Sequence, residues 1–590
     1  MKYRTLRHWE NPGQLEGLAF FSQLIEELLF DYSLDTYKPS AMNTSTLCKE
    51  ALSLIEDIEN ETIDKANLKH VLNELVINLR NDEIAKSLLD ISAGTIALKL
   101  ENDSCPIQEK KTIVEIINSQ LNIFLYKKRA EELLVEAVKC GKEKDRIRSL
   151  ARSYITTLIS VGYSSRYLYP TSRQFFHWPG NKITSTDDIT KYFDFVSGQD
   201  YEYVAIFKAE IIFEDIKDSC KYLDIEITRT LSDELEGFAD SKNYTINDKQ
   251  TYLIVNKIKE KDVFSARSDA ERRIEIITAL VNLFHHKKIP EWEGNALLVN
   301  LEKKTPRLIN LPRNPMLLCS DLRTHDAAVK LNSLFNDFSL SDQHSFKKFS
   351  RVTELHSLAL KNDAPENQLL SLWVGLETIS PSRISKNKAK VNNIIDSILP
   401  FLSLDYIYTL TNKLTLDFKL WNRTALFRSI DGIDGNSERE KLIKLLVLSD
   451  YEDNKNELFD SLGNFYLLRN RAHYFSEVLS SKKNVIGLLE KHWVRVDWQI
   501  RRIYRTRNQI VHAGHTPLYI DVLIKNVHDY LDVVINGISY LASIGEKINT
   551  VDQAFKYTEI KYHEYLHELK TEVGDIDHEN ILRLIINKRI

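Results

Sequence analysis

From Leu15 to about Val161 apolar residues return at helical intervals: Leu18, Phe21, Leu24 and Leu28 step by three and four, and Leu68, Val71, Leu72 and Leu75 fall on one face in the same way. That spacing lines one side of an amphipathic helix, so residues 1–165 are expected to form a helical N-terminal region. The stretch from Gly162 to Gly180 gathers Tyr163, Tyr167, Tyr169, Phe175, Phe176 and Trp178 around Pro170 and Pro179. It reads as an aromatic loop at a boundary, serving either as an interdomain packing surface or as a platform on which bases stack.

The period then shortens to two. Tyr203–Ala209, Ile225–Thr228, Tyr252–Val255 and Ala296–Val299 are rich in β-branched and aromatic residues and read as strands, with a helix from Ala266 to Leu283 between them. Residues 166–320 are therefore expected to form an α+β middle domain, closed by an irregular connection carrying Pro290, Pro306, Pro312 and Pro315. Helical periodicity resumes over 324–338, 351–379, 386–415, 437–449, 455–474, 483–513 and 518–545, and again beyond Thr550. This predicts an all-α bundle over 321–545 and a short helical tail over 546–590, in a chain that is mainly α.

Composition supports order throughout. The 590 residues are 43% hydrophobic and 28% charged with only 18 Gly and 13 Pro, which describes folded, helix-rich protein of several domains. A net charge of −5 leaves no global basic footprint, so any contact with nucleic acid must be local. Cys48, Cys105, Cys140, Cys220 and Cys319 have no paired spacing for zinc or a disulfide framework, and free thiols are expected. With no apolar run approaching a membrane span and no signal-type apolar core after Met1, the chain is expected to be soluble and cytoplasmic.

The most informative helix runs from Val485 to Val511. Its apolar seam reads Ile486, Leu489, Trp493, Val496, Ile500, Ile503 and Ile510, and Arg507 falls on the line after Ile503. A guanidinium at such a position needs an anion to offset its desolvation. Asn508 and His512, four apart, share a neighbouring face. Gly514 is suited to stop the helix, which places His512 in the last turn, where the helix dipole favours the imidazolium. Lys491, Arg495, Arg501, Arg502, Arg505 and Arg507 face one acid, Asp497, so the segment could attract polyphosphate. Arg501, Arg502 and Arg505 are thus candidate RNA-binding residues, with an ordinary solvated helix face as the alternative.

The run Arg507-Asn508-Gln509-Ile510-Val511-His512-Ala513-Gly514, at the end of a long helix in an all-α domain, resembles the signature of the HEPN superfamily. Upstream, Leu372-Trp373-Val374-Gly375-Leu376-Glu377 looks like the first core helix of its ApeA-like branch, found in bacterial antiphage proteins. The resemblance covers about 320–545. It implies a metal-independent endoribonuclease in which the ribose 2′-hydroxyl attacks the adjacent phosphate. His512 would move the proton and Arg507 would bind the phosphate. Asn508 would contact phosphate or fix the imidazole, or else serve as a cap. Glu377 would pair with Arg507, orient His512, or simply hold two helices together. The resemblance also implies RNA as substrate (tRNA plausible), a homodimer through the HEPN domain, a phage-derived trigger, a role as toxic effector, no cofactor and no metal. A catalytically silent scaffold that binds RNA or a partner chain is the third possibility.

Other motifs compete. His563-Glu564-Tyr565-Leu566-His567 spells the H-E-x-x-H of zinc peptidases, with Glu579 or Asp575 as possible third ligands, although Lys561 and Glu568 flank it with charge. Arg469-Asn470-Arg471-Ala472-His473 imitates the arginine–histidine run one residue short. His285-His286, and His512 with His515, lack companion ligands at metal spacing, and there is no phosphate-cradling glycine loop.

Overall fold

The helical stripes of the N-terminal region are realised as the helices Glu16–Leu29, Thr44–Glu59, Ala66–Asn81, Ile107–Gln120, Ile123–Cys140 and Lys144–Ser160. This is a computed structural model that describes residues 3–30, 42–61, 63, 65–318, 322–337, 340, 342–381, 390–543, 548–571 and 575–589. Cys319 and the predicted helix ends at 338, 386–389 and 544–545 lie outside those residues. Leu18, Phe21, Leu24, Leu28, Leu68, Val71, Leu72 and Leu75 are all buried, each worth about 1.5–3 kcal/mol of apolar burial. Gly17 allows the first of these helices to touch the end of another: a Cβ there would lie 2.2 Å from the Val138 carbonyl oxygen.

The aromatic stretch is a helix, Ser165–His177, not a loop. Ser164 caps it by accepting from the Tyr167 N–H at 3.2 Å, and Leu168, Phe175 and Phe176 form its buried stripe. The Phe176 ring meets Tyr192 of the following helix, Asp188–Val196, at 4.8 Å and Phe21 at 6.3 Å. Turn-forming Pro170 and Pro179 obscured a periodic apolar face. Packing, one of the two alternatives for this stretch, accounts for Phe175 and Phe176.

Five antiparallel strands follow: β1 (Tyr201–Glu210), β2 (Ile225–Thr228), β3 (Gln250–Glu260), β4 (Trp292–Asn300) and β5 (Thr305–Ile309), in the order β2-β3-β1-β4-β5. The fifth was not expected, because Pro306 in so short a segment reads as a break. Proline is tolerated there because β5 is an edge strand with one free side. Alternation divides the sheet cleanly. Ala205, Phe207, Leu253, Val255 and Leu298 face the helix Val263–Asn282, whereas Val204, Ile206, Ile254, Leu297 and Val299 pack with Ala239 and Tyr244 on the opposite side.

Beyond the sheet the chain is helical again. Three predicted segments divide. Pro365 begins a new helix after Gln343–Lys361, Lys390–Leu404 and Tyr406–Ser429 meet at Asp405, and Gly463, with φ of 49°, separates Glu452–Ser461 from Tyr466–Ser480. The buried apolar residues of the N-terminal helices, of the C-terminal bundle and of the tail form one continuous cluster, from Leu6 to Ile586, while the sheet keeps its own cores. The tail is built into it, since the Phe555 ring meets Phe401 of Lys390–Leu404 with centroids 5.1 Å apart. Among the described residues no single helix is long and apolar enough to cross a membrane, and only the pair Lys390–Leu404 and Tyr406–Ser429, bent by 44°, reaches that length together.

Candidate functional site

The helix that carries the arginine–histidine run spans Lys482–Ala513 and ends on Gly514 in the left-handed region, φ 62°. Leu489, Val496, Ile500 and Ile503 of its seam are buried; Trp493 is 37% exposed. Three surfaces close on the second half of this helix. Tyr504 meets Trp373 of the Pro365–Ile379 helix, ring centroids 5.5 Å apart. Arg501 reaches Asn392 of Lys390–Leu404 at 2.7 Å. Arg502, Arg505 and Gln509, spaced three and four, face the N-terminal helices.

That last face is a buried charge cluster. Arg502 contacts Glu50 at 2.9 Å and Glu74 at 2.6 Å, and Arg505 contacts Glu50 at 2.7 Å. Gln509 donates to Asp57 at 2.9 Å. Burial alone would raise the Glu50 carboxyl, but Arg502 and Arg505 outweigh it and hold it at about 2. Glu74 is raised, by burial first and by the neighbouring Glu50 charge, so it is the carboxyl of the pair that takes up a proton more readily. Arg501 is likewise engaged, with Asp497 at 2.9 Å. The expectation that Arg501, Arg502 and Arg505 form an RNA-facing patch is therefore corrected. All three are buried, and each has a carboxylate partner that compensates its desolvation.

Arg507 differs from these three. It is half-buried, its Nη1 donates to the Asn508 Oδ1 at 3.0 Å, and its Nε is enclosed with no hydrogen-bond partner. Among the described residues no carboxylate lies within ion-pair distance of it. Asn508 is buried and serves as the acceptor for this guanidinium. His512 is exposed in the last turn, as is His515 beyond it, and no hydrogen bond joins His512 to Arg507 or Asn508 among the described residues. Five residues of α-helix turn the two side chains roughly 140° apart, so a single copy presents them on different faces. Val511 and Leu518 are exposed beside them, at 48% and 83%.

Glu377 does not reach this run. Its carboxylate accepts from the Trp373 indole at 2.8 Å and pairs with Lys390 at 3.1 Å, on the wall of a cavity of about 210 Å³ shared with Lys348 and Asn393. It is thus a link between two helices, one of the alternatives weighed for it. In the H-E-x-x-H run, His563, Glu564 and His567 all point to solvent, and Glu564 pairs with Lys561 at 3.0 Å. Neither Asp575 nor Glu579 joins the two histidines in a ligand cluster. Arg471 of the shorter imitation is buried between Glu27 at 2.6 Å and Asp417 at 3.2 Å, a second clamp between the N-terminal helices and the bundle.

Two groups escaped sequence reasoning. Glu50 and Glu74 sit on ordinary-looking amphipathic helices, and nothing local marks them as partners of arginines more than 400 positions away. His356, His528 and Asp532 meet across two helices; only the i, i+4 spacing of His528 and Asp532 could have drawn attention. The chain matches no protein-family model, no curated protein and no solved structure.

Proposed function

We propose that this chain is an endoribonuclease of the HEPN type, cutting RNA by attack of the ribose 2′-hydroxyl on the adjacent phosphate. The observation that carries this reading is the unneutralised state of Arg507. Its neighbours Arg501, Arg502 and Arg505 each have a carboxylate, whereas Arg507 has a neutral amide and an enclosed, unpartnered Nε. A planar, permanently charged fork without an anion is suited to phosphate. His512, exposed at the negative end of a helix, is placed to accept the 2′ proton or return one to the leaving oxygen.

The two groups would act together in a homodimer, where the His512 of one copy faces the Arg507 of the other. The exposed Val511 and Leu518 supply an apolar rim for such a contact. The buried clamp between Arg502, Arg505, Glu50 and Glu74 suggests that the N-terminal helices restrain the catalytic helix until a phage-derived trigger acts, as expected of a toxic cytoplasmic effector in antiphage defence. The test incubates purified protein with labelled tRNA and total RNA in EDTA, with circular dichroism to verify the fold. Cleavage by wild type that is lost in Arg507→Ala and in His512→Ala is expected. Cleavage that survives both substitutions would overturn the reading, and binding without cleavage under any tested trigger, lysate of phage-infected cells included, would make the chain a silent scaffold.

A further inference from the structure

We infer that His356, His528 and Asp532 form a binding site for one divalent transition-metal ion of the zinc class, joining the helix Gln343–Lys361 to the helix Ile520–Ser543. The His356 and His528 Nε2 atoms lie 2.8 Å apart. The two Asp532 oxygens lie 3.1 Å from His356 Nε2 and 3.3 Å from His528 Nε2. Three ligand atoms of the types zinc prefers thus converge on one point. In a tetrahedral site with bonds of about 2.0–2.1 Å, neighbouring ligand atoms are separated by about 3.3 Å. Each imidazole already has one Asp532 oxygen at close to that separation, and the two imidazole nitrogens need to open by only about half an ångström to admit the ion.

The surroundings agree. His528 and Asp532 are four apart on one helix, which aligns their side chains, and the His528 side chain is only 4% exposed. Gly375, on the intervening Pro365–Ile379 helix, lets the outer helices close at this level. A Cβ there would stand 3.1 Å from Leu531 and 3.8 Å from Val352, residues one turn from His528 and His356. Asp529 adds negative charge near His528. The Asp532 side chain is 39% exposed, so the fourth position opens to solvent and takes water. Without an ion, two imidazole nitrogens and a carboxylate in mutual contact must share protons to avoid lone-pair repulsion. A cation removes that repulsion outright. The absence of any metal was expected from local spacing, which could not register a histidine 172 positions away.

This inference stands apart from the ribonuclease reading. Its test uses the untagged full chain, stripped with a chelator, and Zn²⁺ alone as probe in competition with a chromogenic chelator. Wild type should take up one equivalent per chain and melt several degrees higher with zinc. A doubly substituted His563→Ala/His567→Ala chain should behave the same. His356→Ala and the isosteric Asp532→Asn should bind at least about 100-fold more weakly and show no zinc-dependent rise in Tm, while melting like stripped wild type in chelator. Less than stoichiometric uptake by wild type, or uptake unchanged in His356→Ala and Asp532→Asn, would overturn it.

Discussion

Arg502→Met should be among the most destabilising single substitutions in the molecule. The guanidinium is 2% exposed and lies 2.9 Å from Glu50 and 2.6 Å from Glu74. Methionine matches the length of the stem but offers no charge, so Glu50 keeps Arg505 while Glu74, 7% exposed in its side chain, loses the cation it pairs with among the described residues and keeps only the more distant charge of Arg505. Removing one partner of a buried pair costs about 3–5 kcal/mol. Glu74 can limit that loss by taking a proton in the folded state, which the unfolded chain, with a glutamate near its ordinary value, does not need at neutral pH. The folded variant then binds more protons than the unfolded one, so its stability relative to wild type improves as pH falls, by up to about 1.4 kcal/mol per unit. Urea denaturation at pH 7 and pH 5.5 measures both effects. Adding Glu74→Leu should recover part of the loss, because a buried pair replaced by apolar groups is often close to neutral. A loss below about 1 kcal/mol at pH 7, or a double variant as unstable as the simple sum, would refute the reasoning that this cluster is a dry clamp.

Three further outcomes are expected. Gly17→Ala would drive a Cβ to 2.2 Å from the Val138 carbonyl oxygen, so the helices must separate; a loss of about 1–3 kcal/mol or more is expected in the same denaturation assay. His492 stacks on Tyr406 with centroids 3.6 Å apart, and burial lowers its pKa to about 4. The folded state then resists protonation that the unfolded state accepts, so stability is full above about pH 6.5 and is lost as pH falls toward 4, by up to about 3 kcal/mol; His492→Phe should flatten that decline, and a variant with an unchanged pH slope would contradict it. Cys48 is buried and its thiol pushed well up by burial, whereas Cys140 is exposed, so a thiol reagent should modify Cys140 at once in folded protein and Cys48 only on unfolding, as peptide mapping would show.

Much of this architecture was legible in the sequence because it depends on local periodicity. The stripes at Leu18–Leu28 and Leu68–Leu75, the strands at Tyr203 and Tyr252, the Gly514 stop and the mainly helical class all follow from spacing and turn chemistry. What failed depended on distant partners or on residues with two local meanings. Pro170 and Pro306 suggested breaks, yet one lies within a packed helix and the other on an edge strand. Arg501, Arg502 and Arg505 looked like a basic surface because their acids come from Asp497 on a helix face or from Glu50 and Glu74 far upstream. The seam position of Arg507 gave a half-buried guanidinium, but none of the described residues supplies the anion that position calls for. His356, His528 and Asp532 come together only through the packing around Gly375.

The central claim is that Arg507 and His512 cleave RNA through the ribose 2′-hydroxyl, and the chemistry of the cut ends tests it most directly. A 5′-labelled tRNA treated with wild type, in the presence of lysate from phage-infected cells as the source of the trigger, should yield fragments ending in a 2′,3′-cyclic phosphate. Arg507→Ala and His512→Ala chains should reduce the rate by about two to four orders of magnitude, and 2′-O-methyl substitution at the cleaved position should abolish the cut. Fragments with a plain 3′-hydroxyl, or cyclic ends formed equally well by His512→Ala, would contradict the account.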